Sequence, residues 1–478
     1  LSILTKKKFS KKYISQYMVL NYETICAIST APGKGAVAII RISGKDSVKI
    51  CNQIFKAHNK SKLSLDNAKT VIIGNIIENQ KIIDEVLITI FKGPQSYTGE
   101  NIIEIACHGS TYIQSAIIQL LLRKGCRLAK KGEFTLRAFL NKKLDLSQAE
   151  AVSELISSEN EKAHNLAMKQ MRGGFSDEIQ KLRNKFIKFA SLIELELDFS
   201  QEDVEFVDRE ELLKLTHNIK KKTESLLQSF KLGNAIKNGI PVSIVGRPNS
   251  GKSTLLNTIL NEDRAIVSNI EGTTRDVIEE SIIINGYKFR FVDTAGLRKT
   301  TNKIEKIGIK KTYQKIHESA FVLYLIDKEN FNATKIEEEI EEIQSQLNTK
   351  DAMILIANKN DINKNKLILN KLNNYNILDV SAKNGKGINN ILDTLMNRIE
   401  GLRTLNNEII IINQRHFESL INTLDSINDV EKGIQHSISG ELLSIDIKHA
   451  LNYLGEITGE ITNEHLLDSI FKDFCIGK

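Results

Sequence analysis

The stretch "GRPNSGKST", Gly246–Thr254, comes directly after the apolar run "IPVSIV", Ile240–Val245, and opens a segment that reads as helix. A strand, a G-x-x-x-x-G-K-[ST] turn and a helix in that order make a phosphate-binding loop. The glycines let backbone N–H groups across Asn249, Ser250 and Gly251 close around a β-phosphate, and the helix start adds positive potential. Lys252 places a point charge on the β/γ oxygens, Ser253 offers a hydroxyl to Mg²⁺, and Thr254 completes the motif.

Three stretches further on complete a nucleotide site. "DTAG", Asp293–Gly296, ends the second strand of a hairpin turning at Asn285-Gly286, so Asp293 can hold Mg²⁺ through water and the Gly296 N–H can meet a γ-phosphate, with Thr294 and Ala295 between them. "NKND", Asn358–Asp361, ends a later strand. Asp361 can accept the N1 and N2 protons of guanine, a pair that adenine lacks, so Asn358, Lys359 and Asp361 specify GTP. "SAK", Ser381, Ala382 and Lys383, follows the next strand. Hydrolysis is harder to read. In Ras-type proteins a Gln after DTAG orients the attacking water and an arginine finger neutralises charge; here Leu297 follows, and it does neither.

Outward from this site the rhythm changes twice. Between Ile240 and about Ile399 strands and helices alternate, which predicts a largely parallel sheet covered on both faces. The run includes a helix near Ile304–Ile316, the strand "FVLYLID", a Glu-rich helix, "MILIAN" and "ILDV". From about Glu23 to Phe139, β-rich runs ("ICAIS", "AVAIIRIS", "EVLITIF", "NIIEIACHG") surround a helical "AIIQLLL", an α+β pattern. From about Leu144 to Leu232, and again after Gly401, the spacing is helical. Leu182, Phe186, Phe189 and Ile193 mark one face, Phe417, Leu420, Ile421 and Leu424 another, and Leu442, Ile445 and Leu451 a third. The economical fold is multidomain α/β: an N-terminal α+β domain, then a helical bundle interrupted by an inserted Ras-like P-loop domain. Its boundaries are expected at 19–140, 141–236, 237–400 and 401–478.

The net charge of +7 is compatible with an RNA partner without requiring one. Five scattered cysteines (Cys26, Cys51, Cys107, Cys126, Cys475), with no C-x-x-C pair, point to free thiols in a reducing cytoplasm and away from structural zinc. No apolar run has membrane-spanning length. Residues 1–18 are basic without an apolar h-region; a Lys-rich transit peptide and an upstream extension before Met18 both fit, and the segment says nothing of function. At the other end "FCIGK", Phe474–Lys478, resembles a prenylation box except that Lys stands last; the plain reading is a solvated terminus.

The motifs together resemble the MnmE/TrmE family of tRNA-modification GTPases. The likeness rests on Asn249 in the loop, "SNIEGTTRD" (Ser268–Asp276), "DTAGLR", "IEKIGI" (Ile304–Ile309) and, outside the P-loop domain, four further stretches. These are "APGKGAVAIIRISG" (Ala31–Gly44), "GPQSYTGENIIEIACHG" (Gly93–Gly109), "GEFTLRAFLNKKLDLSQAEAVSELI" (Gly132–Ile156) and the terminal CIGK. Departures are Ser110 for a second Gly, Lys131 for Pro and Asn101 for Asp.

The resemblance implies a K⁺ ion in place of the arginine finger, held by Asn249, Ser268, the Ile270 carbonyl and Thr273. It also implies Thr274 beside Ser253 on Mg²⁺, and GTP contacts across Asn269, Glu271 and Gly272. Glu305 would help position the attacking water, with Arg298 in the same switch. A folate site for a 5,10-methylene- or 5-formyl-tetrahydrofolate is implied at Arg41, Glu104, Lys143 and Lys478. His108 reads as structural, and Cys475 as a nucleophile toward carbon 6 of a uridine. The implied reaction adds a carboxymethylaminomethyl group to the wobble uridine of tRNA. It would run in a homodimer, joined to an FAD-dependent partner of the MnmG (GidA) kind in a heterotetramer and away from membranes. The alternative is an Era- or Der-like ribosome-assembly switch. Der would carry a second P-loop, which is lacking, and Era would end in a KH module, where this chain reads as helix. A membrane-tethered signalling GTPase fits less well, because no lipidation signal is present.

Overall fold

The computed structural model describes residues 23–198, 209–262, 266–267, 279–293, 314–329, 332–347, 352–362, 375–404, 410–436 and 438–478. They form two compact units. The first takes the chain up to Ile156, Met168–Ile219 and Asn422–Lys478; the second takes Ser157–Ala167 and Lys220–Ile421.

The first unit begins with β1 (Ile25–Ile28), β2 (Val37–Ser43), α1 (Ser47–Cys51), β3 (Phe55–Ala57), β4 (Val71–Glu78), β5 (Lys81–Phe91) and β6 (Ile102–His108). Then come α2 (Thr111–Arg123), β7 (Arg127–Leu128), α3 (Glu133–Leu140) and α4 (Leu146–Ser157). The strands order as β3-β4-β5-β6-β2-β1-β7, antiparallel except for the parallel β1/β7 pair. Alternation decides the faces. Ala38, Ile40 and Ile42 of β2 and Ile103, Ile105 and Cys107 of β6 join Ile117, Leu120 and Leu121 of α2 in one core. The residues between them, Arg41 and Glu104 included, therefore project from the opposite face, directly across from each other in the ladder.

The chain continues through α5 (Glu161–Met171), α6 (Gly174–Asp198) and α7 (Arg209–Asn238). In α6 the four residues expected on one face, Leu182, Phe186, Phe189 and Ile193, are all buried.

The second unit holds β8 (Ile240–Gly246), α8 (Lys252–Leu260), β9 (Ile266–Val267), β10 (Glu279–Ile284), β11 (Tyr287–Asp293) and β12 (Phe321–Asp327). After these come α9 (Ala333–Ser345), β13 (Met353–Asn358), β14 (Ile377–Asp379) and α10 (Ile388–Thr404). The sheet order is β14-β13-β12-β8-β11-β10-β9. It is parallel through its centre and antiparallel only at the β9–β10–β11 edge. Asn285 (φ 48°) and Gly286 (φ 79°) make the expected hairpin turn. β12 shows why the sheet is covered on both sides. Phe321, Leu323 and Leu325 face the α8/α10 core, while Val322, Tyr324 and Ile326 face Ile336, Ile340 and Ile343 of α9. The helix expected over Ile304–Ile316 lies mostly outside the described residues.

The last helices are α11 (Gln414–Gln435), α12 (Gly440–Thr458) and α13 (Glu464–Phe471). Two expectations need correction: in α11 Leu420 is buried but Ile421, expected on the same face, is exposed. In α12 the buried face is Leu443, Ile447, Ala450, Leu454 and Ile457, whereas Leu442 and Ile445 are exposed. Both stripes are apolar at helical spacing, and packing against α6 selects the longer one.

Candidate functional site

The phosphate loop is built as its spacing requires. Gly251 sits at φ +95°, and a Cβ there would lie 2.3 Å from the Asn358 amide nitrogen, so only glycine lets the loop close on the following strand end. Lys252 opens α8, and its ammonium donates to the carbonyls of Gly246 (2.9 Å) and Arg247 (2.8 Å), which holds it over the turn. Asn249 is exposed at φ 61°, and Ser253 and Thr254 are exposed in the first turn of α8. The Ser250 hydroxyl is buried with no hydrogen-bond partner among the described residues. Spacing did not reveal what holds the loop from outside. Arg247 bonds through Nε and Nη2 to Glu339 of α9, each at 2.9 Å, and the Tyr324 hydroxyl donates to the same carboxylate. Burial, helped by that carboxylate, pushes the Tyr324 phenol up.

The residues expected to read the base converge on this loop. The Asn358 amide donates to the Ser250 carbonyl (2.8 Å), and its oxygen accepts from the Ala382 N–H (2.9 Å), tying three motifs together. Lys359 reaches Glu329 (2.7 Å) and Asp327 (2.9 Å), and those two carboxylates raise its pKa. The Ser381 hydroxyl donates to Asp361 at 2.7 Å. That bond, with the residue's own N–H and the charges of Lys383 and Lys359, holds the Asp361 carboxyl below its usual range. Asp293 closes β11 in register with Ile244. Ser268, Asn269, Ile270, Glu271, Gly272, Thr273, Thr274, Thr294, Ala295, Gly296, Arg298 and Glu305 lie outside the described residues.

The first unit brings a second group together. Arg41 forms an ion pair with Glu104, with Nε at 2.9 Å and Nη2 at 2.8 Å from one carboxylate oxygen. Its guanidinium lies 5.3 Å from the centre of the Tyr97 ring and 5.7 Å from that of Phe134. Beside it runs the terminal CIGK. Ile476 bridges to Lys131, the Gly132 N–H donates to the Cys475 carbonyl (3.4 Å), and the Phe134 N–H donates to the Lys478 oxygen (3.2 Å). The Gly477 carbonyl accepts from Ser29 Oγ (3.2 Å) and Arg41 Nη1 (3.5 Å).

Phe471 and Phe474 anchor this tail in a cluster with Leu146, Ala149 and Leu467. Cys475 is exposed, and the other four cysteines are free and buried. Lys143 is exposed just past α3, its stem against Gly99 of the loop that carries Tyr97. That loop is fixed by a buried Arg137, paired with Glu100 and Glu133, a partnership that no motif spacing announces. His108, at the end of β6, is tied to β5. Its ring and its backbone N–H both engage the buried Asp84, at 2.7 and 2.8 Å.

Comparison with known proteins bears on both groups. A family model described as the TrmE N-terminus matches residues 24–143, and one described as the MnmE helical domain matches residues 146–475. A protein of Flavobacterium johnsoniae named tRNA modification GTPase MnmE is 52% identical over 467 residues, spanning 96% of this chain and 100% of that one. One of the same name from Bacteroides thetaiotaomicron is 46% identical over 468 residues, with the same shares covered. Among solved structures, a point variant of Aquifex aeolicus Era bound to GDP·AlF4⁻ is 26% identical with a TM-score of 0.26, covering 39% of this chain and 66% of its own. The two family models between them span nearly all the described chain and the named relatives match along their whole length: the chain belongs to the MnmE family of tRNA modification GTPases.

Proposed function

We propose that this chain is a K⁺-stimulated GTPase that adds a carboxymethylaminomethyl group to carbon 5 of the wobble uridine of certain tRNAs. The one-carbon unit would come from a methylene- or formyl-tetrahydrofolate. That it is a GTP hydrolase of tRNA modification follows from its family; the rest is supported by how the sites are made. The observation that carries the reading is the seating of Cys475–Lys478 against Arg41, which is itself paired with Glu104. A carboxylate with one oxygen committed to an arginine keeps its other edge for the N–H donors of a pterin, and Lys143 and Lys478 suit the anionic tail of a folate.

At the nucleotide site the donor set fits phosphate. A glycine cradle, a helix N-terminus and Lys252 lie together, and Ser253 offers the hydroxyl that Mg²⁺ uses with Thr274. K⁺ held by Asn249, Ser268, the Ile270 carbonyl and Thr273 would supply the charge neutralisation between the β- and γ-phosphates that Leu297 cannot. Glu305 orients the attacking water, with Arg298 in the same segment. In the first unit Cys475 bonds through sulfur to carbon 6 of the uridine, its thiol proton leaving. The electron pair at carbon 5 would take the one-carbon unit as that unit's bond to the donor nitrogen breaks, and loss of the carbon 5 proton with expulsion of the thiolate would restore the ring.

An FAD-dependent partner of the MnmG kind, in a heterotetramer, fits a reaction that needs redox chemistry which none of these side chains supplies. A homodimer through the N-terminal sheet is supported by its outward face, where the paired Ile73 and Leu87 are 50% and 44% exposed. Among the described residues no helix is long and apolar enough to cross a membrane, and a reducing cytoplasm suits five free thiols. Nucleoside mass spectrometry of tRNA from cells depleted of this protein is the test. Loss of the modified wobble uridine is expected; unchanged wobble uridines alongside accumulating ribosome precursors would overturn the reading in favour of an assembly switch. Replacing Na⁺ by K⁺ should raise GTP turnover, and indifference to the cation removes Asn249 from its role.

A further inference from the structure

Lys328 is the first residue beyond β12, and its side chain is 1% exposed. No motif claims it. Its ammonium forms an ion pair with Asp379 of β14 and lies 3.3 Å from the side-chain oxygen of Asn360. Both partners belong to base-reading segments. Asn360 stands between Lys359 and Asp361, and Asp379 comes two residues before Ser381, whose hydroxyl holds Asp361. The backbones meet at the same place, with the Asn360 N–H donating to the Val380 carbonyl at 3.1 Å.

A buried ammonium is costly unless carboxylate and amide oxygens stay within reach. The segments carrying Asp379 and Asn360 are therefore held at the spacing that lets Lys328 keep both. We propose that Lys328 is a specificity-determining positioning residue for the purine base. It touches no nucleotide; it fixes the distance between the Asn358–Asp361 turn and Ser381–Lys383, and so the angle at which the Asp361 carboxylate meets guanine. The inference rests on the reading of Asp361 as the guanine acceptor. A general contribution to stability would weaken every nucleotide alike, whereas misplacing Asp361 weakens most the base that gives it two protons.

The experiment compares GDP with IDP, which lacks the 2-amino group, on the full-length protein. Wild type should prefer GDP, because Asp361 accepts from that amino group. Lys328→Met keeps the stem and removes the charge, and Asp379, 30% exposed, can take up water in its place. The expected result is a fall in the GDP:IDP preference of roughly fivefold or more, with IDP, which offers Asp361 only its N1 proton, weakened less than GDP, and substantial recovery in Lys328→Arg. Should Lys328→Met fail to fold, Asp379→Asn makes the same measurement with a smaller perturbation. Equal weakening of GDP and IDP, or an unchanged preference, overturns the proposal. Asp361→Asn in parallel separates the two ideas: if it leaves the preference intact, the guanine reading itself has failed, and if it abolishes the preference while Lys328→Met does not, only the role of Lys328 has.

Discussion

Gly477→Ala should release the tail from the N-terminal sheet. Gly477 has φ +98°, and a Cβ on it would sit 2.1 Å from the Ile28 carbonyl oxygen. Left-handed backbone costs a non-glycine residue about 1–2 kcal/mol. The overlap forces the turn outward by about 1 Å, because closely packed atoms cannot absorb it in place. That movement breaks the hydrogen bonds of the Gly477 carbonyl with Ser29 and Arg41 and strains the one between Phe134 N–H and the Lys478 oxygen. At about 1 kcal/mol for each bond, the docked state loses roughly 3–4 kcal/mol in all. The ratio of docked to undocked tail then falls by on the order of 10²-fold or more. Phe471 and Phe474 stay in their cluster, so the root of the tail should remain in place. Hydrogen exchange reads this directly. The Gly132 and Phe134 amides, whose acceptors are tail carbonyls, should exchange faster, and binding of 5-formyl-tetrahydrofolate should weaken while GDP binding holds. Unchanged protection at both amides would refute the reasoning, because it would mean that the turn accepts a side chain where no room exists for one.

Asp361→Asn should shift preference from guanine toward xanthine nucleotides and cost GTP affinity about tenfold or more, measured by competition binding; undiminished GTP affinity removes Asp361 as the base reader. Cys475→Ser should leave a folded protein that no longer supports tRNA modification by nucleoside mass spectrometry, and retained modification rules out the covalent step. Arg41→Lys keeps the charge but loses the planar fork, so folate affinity should drop by about tenfold; equal affinity would mean that charge alone suffices. Glu133 is buried, which by itself raises its pKa, but hydrogen bonds from Arg127 and the Lys130 N–H and the charge of Arg137 bring it below its ordinary 4.5. A depressed folded value gives stability that is present above the unfolded pKa and lost as pH falls through the folded one. Thermal melting of the first unit should therefore be flat above about pH 5 and fall below it, and Glu133→Gln should flatten that fall.

The nucleotide site was legible because its chemistry is local. Phosphate is held by consecutive backbone N–H groups, so the residues that matter lie side by side in Gly246–Thr254. Its supports were not legible. Arg247 meets Glu339 across 92 positions and Lys328 meets Asp379 across 51, and a lone Arg or Lys in sequence carries no mark of its partner. β4 escaped notice for a different reason: Gly74 and Asn75 interrupt its apolar alternation and imitate a turn. In α12 the reverse held. The spacing marks Leu442 and Ile445, and packing against α6 buries Leu443 and Ile447 instead. Periodicity shows that a face exists, and packing decides which face it is.

Arg41 shows how a charge that is ordinary in sequence becomes specific in place. It stands in β2 on the face turned away from the core, where a lone arginine would be solvated and mobile. Four neighbours prevent that: Glu104 across the ladder, the Tyr97 and Phe134 rings beside the guanidinium, and the Gly477 carbonyl. Each is placed by something else. Tyr97 is fixed through Thr135, Phe134 by its backbone bond to Lys478, and Gly477 by its close approach to Ile28. Much of the side-chain entropy that a ligand would otherwise have to remove is thus already spent in folding, which favours binding without adding a contact. Part of this preorganisation comes from residues more than 400 positions away in the chain, so the site is assembled only once the C-terminal tail has docked. Damage to α13 or to its Phe471–Phe474 anchor should therefore register at Arg41, far from it in sequence.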